Sequence, residues 1–216
     1  MNPFATRCIR PDNNVYRFAC DPSHDEMQRH RFLYRLLFTL RTQRRAAIVG
    51  PHGSGKTTLL RSLEPELISA FGHLLKMQLS SEKRQCLRQW LPAIEAIDPR
   101  EPACLVVDGY EQLSWWDQYK LVRRLSRRKQ VALLVTCHRP PWLIPTCLTT
   151  CWDDQLSRHL TQEKLNNVPI ATRVELSSFF ETRLHQCDRA KRNLRELWFE
   201  MYDAFEVVKR REGKHQ

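Results

Sequence analysis

Residues 50–58 read Gly50-Pro51-His52-Gly53-Ser54-Gly55-Lys56-Thr57-Thr58, a match to G-x-x-x-x-G-K-[ST] at every fixed position that leaves few ways for the surrounding chain to fold. A polyphosphate needs many positive dipoles at short range. Three glycines let backbone N–H groups turn inward, and a helix N-terminus closes the nest around the anion. Lys56 is expected to extend along the loop to the β- and γ-phosphates, and Thr57 to offer its hydroxyl to magnesium. Thr58 continues the helix. His52, at a variable place in the pattern, is expected to be a solvent-facing spacer. The flanks agree with this reading: Ala46-Ala47-Ile48-Val49 is an apolar run such as a buried parallel strand shows, and Leu59, Leu60, Leu63 and Leu67 follow at helical spacing.

Farther on, Leu74-Leu75-Lys76-Met77-Gln78-Leu79 is expected to be a second strand, with Ser80 or Ser81 capping a helix that ends before Asp98-Pro99. The clearest strand is Ala103-Cys104-Leu105-Val106-Val107, which ends in Asp108. Strand ends in an open parallel sheet converge on the ligand crevice, so a carboxylate there can orient a magnesium-bound water, the Walker B arrangement. Glu111 lies three residues on, where it either polarises the attacking water or only favours the dipole of a helix N-terminus. Leu113, Trp116, Tyr119, Val122 and Leu125 recur at near-helical spacing and predict a buried stripe, with Trp115 expected to pack as well. Val131-Ala132-Leu133-Leu134-Val135 is a fourth strand, ending in Thr136 with His138 and Arg139 behind it. Thr136 would face the γ-phosphate if this strand neighbours the loop strand, and Arg139 either supplies charge to the transition state or is a surface arginine ahead of Pro140-Pro141.

After a short fifth strand within 147–152, the pattern turns to helices alone, over 154–165, about 173–186 and about 189–210. Leu194, Leu197, Trp198, Met201, Tyr202, Phe205 and Val208 share one stripe of the last. The chain therefore divides into an N-terminal arm and helix packing on the core (1–43), a nucleotide-binding core (44–152) and a helical lid or tail (153–216). Lys and Arg outnumber Asp and Glu by 35 to 24, a net charge of +11. Dispersed as it is, that charge attracts polyanions and leaves nucleic acid open as a partner, but no base-reading motif accompanies it. Eight cysteines include no C-x-x-C pair. The nearest grouping, Cys137, His138, Cys147 and Cys151, fits no common zinc module, and the cysteines read as reduced thiols. Residues 1–14 hold no apolar block, and 32–40 are too short to span a bilayer. A cytoplasmic chain with no membrane partner is expected.

The order of Walker A, Walker B with a nearby acid, a polar strand tip and a helical tail resembles the AAA+ and STAND branch of the P-loop ATPases. Val106-Val107-Asp108-Gly109-Tyr110-Glu111-Gln112-Leu113 looks like the Walker B region of NACHT-type STAND proteins. Leu134-Val135-Thr136-Cys137-His138-Arg139-Pro140 looks like their sensor 1 segment, and Asn193-Leu194-Arg195-Glu196 like a lid signature whose arginine reaches back to the nucleotide. The resemblance implies a three-layer α/β sandwich with a mostly parallel sheet and a C-terminal helical lid. It also implies binding of ATP with Mg2+, hydrolysis with Glu111 as base, and Arg195 at the γ-phosphate. Arg192 stands where the family has a glycine, and Gly109 where its catalytic glutamate directly follows the aspartate. The loop is also similar to that of ABC transporter ATPases. That class is set aside because its LSGGQ-like signature is absent and the interval to Walker B is too short for its helical insert.

Three functions follow. The first is an ATPase or nucleotide switch that moves the tail, the part expected to meet another copy or a protein partner. The second is a small-molecule or nucleotide kinase with Asp108 activating an acceptor hydroxyl. The third is a nucleic-acid-stimulated motor or loader, a specialisation of the first.

Overall fold

Runs of four or more apolar residues have no face left for water, so strands built from them need cover on both sides. The computed structural model, which describes residues 2–79, 87–98, 100–186 and 193–212, provides it. Strands β1 (Arg45–Val49), β2 (His73–Gln78), β3 (Ala103–Asp108), β4 (Val131–Cys137) and β5 (Thr146–Thr149) form one sheet in the order β2-β3-β4-β1-β5. Every neighbouring pair is parallel. β4 thus lies between β1 and β3, with Ile48 opposite Thr136, and the tips of the three strands come together at one sheet edge.

Successive side chains of a strand point to opposite faces, and the core divides accordingly. Ala46 and Ile48 join Phe32, Leu36 and Leu40 of helix α2 (Pro22–Thr42) and Leu59, Leu60, Leu63 and Leu67 of α3 (Lys56–Phe71). Ala47 and Val49 join Ile94 of α4 (Leu91–Glu95) and Leu121, Val122 and Leu125 of α5 (Trp115–Ser126) on the other face. The layers are helix, sheet, helix. Each buried leucine contributes roughly 1.5–3 kcal/mol of apolar transfer, so α3 is held by burial far more than by propensity.

α2 starts at Pro22 because Asp21 caps it, accepting from the His24 N–H at 2.8 Å, and proline suits a first helical turn. The Ser80 or Ser81 cap falls outside the described residues, and so do Arg192 and the expected start of the last helix at 189. The stripe expected on α5 is corrected. Trp116 and Tyr119 are exposed, and Trp115 does not pack inside but is 56% exposed. Tyr110 and Leu113 fill the core ahead of the first turn, and the Tyr110 hydroxyl donates to Gln118 O at 3.3 Å.

Helices α6 (Asp154–Leu165), α7 (Ile170–Gln186) and α8 (Leu194–Glu212) build a third core around Leu165, Leu176, Phe180, Trp198, Met201 and Phe205. Helix α2 packs on the sheet. Phe4 and Ile9, before and on the short helix α1 (Thr6–Ile9), belong to the core of the tail. Asn2 Nδ2 donates to Tyr202 O at 3.2 Å and to Glu206 Oε1 at 2.9 Å. Among the described residues no helix is long and apolar enough to cross a membrane.

Candidate active site

The glycine-rich loop leaves β1 between two anchors. Gly50 N–H donates to Cys137 O of β4 at 3.1 Å, and Thr150 N–H donates to Val49 O at 2.7 Å. The buried Thr150 hydroxyl lies 2.6 Å from Ser54 Oγ. A Cβ on Gly50 would sit 2.0 Å from that hydroxyl, so the approach requires glycine. Gly53 has φ +72°, and a Cβ there would meet Asn193 Oδ1 at 2.0 Å. Asn193 stands just before α8, so the tail touches the loop at this point.

Lys56 begins α3 and is buried, its side chain turned onto the start of the loop. Its Nζ donates to Gly50 O at 2.6 Å and Pro51 O at 2.7 Å. A buried ammonium needs acceptors, and the loop carbonyls are the nearest. Burial lowers its pKa, opposed by the carboxylates of Glu111 and Asp108. Thr57 donates to Asp108 Oδ2 at 2.8 Å. Thr136, at the tip of β4 and 1% exposed, donates to Asp108 Oδ1 and accepts from the Gly109 N–H at 3.0 Å. Thr57, Asp108 and Thr136 therefore form one hydrogen-bonded chain across three neighbouring elements. The Thr57 hydroxyl and the Asp108 carboxylate are hard oxygen donors side by side, the donor set that Mg2+ takes together with waters and phosphate oxygens.

Glu111 lies in a single 3-10 turn, Tyr110–Gln112, that follows β3. Its Oε1 is 2.9 Å from His138 Nε2, while its Oε2 is buried with no hydrogen-bond partner among the described residues. His138 Nδ1 lies 3.1 Å from Gly50 O and 3.4 Å from Lys56 Nζ. One imidazole thus spans from the start of the loop to the carboxylate after β3. His52 is exposed, as a spacer would be, yet its ring centroid is 3.7 Å from that of His138. Partial burial, then the neighbouring His138 and Lys56, hold its pKa below the usual 6.5.

These groups line one wall of a cleft of about 830 Å³. The opposite wall comes from the tail and the N-terminal arm, through Leu156, Leu160, Lys164, Trp198 and Tyr16. Lys164 Nζ donates to Cys8 O and to Asn14 Oδ1, both at 2.9 Å, and lies 4.6 Å from the Trp198 ring centroid. Tyr16 packs on Gly55, where a Cβ would be 3.0 Å from its ring, and burial pushes its hydroxyl up to about 12. Ser54, Gly55, Thr58 and Arg195 also border the cleft, whereas Pro51 and Arg139 do not. Arg139 is exposed. The Arg195 guanidinium lies 5.6 Å from the Phe199 ring centroid, and Asn193, two residues earlier, makes the contact with the loop. Cys137, beside His138, stays a thiol, its pKa pushed up to about 12 by burial. Sequence reasoning assigned no site role to His138, Thr150, Asn193 or Lys164, although His138 sits just behind a strand tip and Asn193 opens the lid-like signature.

A β-strand, a glycine-rich loop and a helix N-terminus, with β4 beside the loop strand, give this chain the fold of the P-loop NTPases, and its order of motifs and its helical tail resemble those of the AAA+ branch. The ABC transporter family model matches residues 33–138, just under half of the chain, from α2 through the end of β4. No curated protein matches the sequence. Among solved structures, a DNA replication initiation factor is similar at 16% identity and a TM-score of 0.56, over 88% of this chain and 64% of that one. This chain thus spans less than two thirds of that protein's length. PCH-2 of C. elegans matches at 13% identity with a TM-score of 0.47, over 93% of this chain and 73% of its own. A point variant of RuvB from Thermotoga maritima matches at 11% and 0.47, over 82% and 68%. Such identities speak to the fold alone.

Proposed function

We propose that the protein is a Mg2+-dependent ATPase or nucleotide switch of AAA+/STAND type, a hydrolase of the β–γ anhydride that couples ATP state to the helical tail. One observation carries the reading. The hydrogen-bonded chain Thr57–Asp108–Thr136 lies at the strand tips beside the loop, and the cleft it faces has the tail as its other wall.

The triphosphate would lie on the N–H groups of residues 53–58. Its negative charge draws Lys56 from the carbonyls of Gly50 and Pro51 to the β- and γ-phosphates. Thr57 and Asp108, the latter through water, would hold Mg2+, which when bound would neutralise charge on the phosphate oxygens. Thr136 keeps Asp108 oriented. Glu111 accepts the proton of the attacking water on its unpartnered Oε2, while His138 fixes the carboxylate through Oε1. Glu111 is thus poised as base despite its displacement from the position that directly follows Asp108. The apolar end of the cleft, with Leu160 and Trp198, offers a flat surface for the base. Arg195 reaches the γ-phosphate by leaving the Phe199 ring, and the tail follows it. Arg139 has no part in the site.

ATP turnover and nucleotide retention in wild type, Lys56→Ala and Glu111→Gln test the reading. Lys56→Ala is expected to lose ATP binding. Glu111→Gln is expected to retain ATP and to turn over roughly 10²–10⁴-fold more slowly. Normal turnover in Glu111→Gln would remove the base assignment, and transfer of phosphate to an added nucleotide in excess of release to water would favour a kinase.

A further inference from the structure

α5 carries its aromatic residues on the wrong side for a core. Trp115, Trp116 and Tyr119 are 56%, 62% and 38% exposed, although the same helix buries Leu121, Val122 and Leu125. The rings are arranged together: Trp115 and Tyr119 stack with centroids 6.3 Å apart and planes 18° from parallel, and Trp116 meets Trp115 edge-on at 4.6 Å. Trp116, Lys120, Arg123 and Arg127 follow at intervals of four, three and four residues, which places them along one helical stripe about 18 Å long.

The cations of this segment differ in their roles. Arg124 pairs with Glu95, and Arg128 donates to Ile94 O and Ile97 O, so both hold α4. Lys120, Arg123 and Arg127 are exposed and make no ion pair among the described residues. The only acid in α5 is Asp117, in its first turn.

We propose that the outer face of α5 binds single-stranded nucleic acid. Flat rings at one end stack on unpaired bases, which all have a π-face, and the free cations track the phosphates. A second copy of this chain is disfavoured as the occupant, because it would bring arginines against arginines on two bodies of net charge +11. A duplex keeps its bases stacked on one another and offers the rings nothing. The surface also connects to the active site. Gln118 Nε2 donates to Tyr110 O at 3.4 Å and Leu113 O at 3.1 Å, and these residues flank Glu111. Strand binding on α5 therefore bears on the turn that carries the candidate base. Binding itself does not depend on the ATPase reading, whereas stimulation of turnover does.

The test is fluorescence anisotropy of a labelled oligothymidylate of about 20 nucleotides with the whole chain, without ATP, at about 50 and 200 mM salt. Binding that weakens with salt is expected, reduced at least about tenfold in Trp115→Ala/Tyr119→Ala, with a shallower salt slope in Arg123→Gln/Arg127→Gln. All of these side chains are exposed, so the variants should melt as wild type does, and a melting curve checks that. Lys56→Ala should bind the strand normally, which keeps this outcome separate from the fate of the ATP site. The proposal is overturned by absence of binding at low salt, by equal affinity for a duplex, by equal displacement with polyglutamate, or by full affinity in the aromatic variant.

Discussion

The two walls of the cleft are built in different ways. On the sheet side the polar groups are fixed by the sheet and the helix beside it: Asp108 by Thr136 of β4 and Thr57 of α3, the loop by Cys137 O of β4 and by Thr150 just after β5. On the tail side the groups depend on one another and on the N-terminal arm, as Lys164 does on Asn14, Cys8 O and Trp198. Contact from tail to loop comes through Asn193 on Gly53. A wall set by strand register suits chemistry, where small displacements are costly. A wall set by a few side chains suits a part that moves with the ligand.

The contrast can be broken by substitution. Asp108→Asn should lower turnover at least about a hundredfold at a small cost in melting temperature, because the amide oxygen can still accept from one of Thr57 and Thr136 but not from both. Steady-state hydrolysis with a parallel melting curve decides this, and a large loss of stability would show that the sheet wall is less rigid than its hydrogen bonds imply. Trp198→Ala should do the reverse. It removes a buried indole that donates to Thr161 Oγ1 at 3.0 Å, and should cost about 3–5 kcal/mol of stability, read by urea unfolding, with a smaller effect on turnover measured in the folded fraction. The smallest effect sharpens the comparison at the rim. His52 has a depressed pKa in the folded protein, so the unfolded chain takes up its proton first and stability is lost as pH falls below about 6.5. Above that pH the group contributes nothing to the slope. His52→Gln should flatten the acid side of a melting-temperature profile by about 2 °C or less, since the ring is largely in water.

What could be read from the chain follows the same division. β1, β3 and β4 announce themselves as unbroken apolar runs, and the loop is legible because phosphate chemistry admits so few residues at its fixed positions. Asp108 and Thr136 were found at strand tips by that logic. Their hydrogen bond, and the link from His138 to Glu111, could not be found that way, since they depend on β4 lying beside both β1 and β3. Trp115 and Trp116 misled for a related reason. Spacing gives a face, but what lies under the first turn of α5 is set by Tyr110 and Leu113, which come from the preceding turn. Phe4 and Ile9 lie in a segment without periodicity, so nothing local shows that they belong to the tail.

The pairing of Asn2 with Tyr202 spans 200 residues, and this has a consequence for how the molecule is made. Phe4 and Ile9 leave the ribosome well before α8 and have no complete site to occupy until α8 has been synthesised. The sheet layers can consolidate beforehand from contacts nearer in sequence. The third core must close a loop nearly as long as the chain, and distant contacts of this kind form late and slowly. The cleft should thus acquire its second wall last, and a nascent chain should hold a finished phosphate loop before it holds a finished pocket.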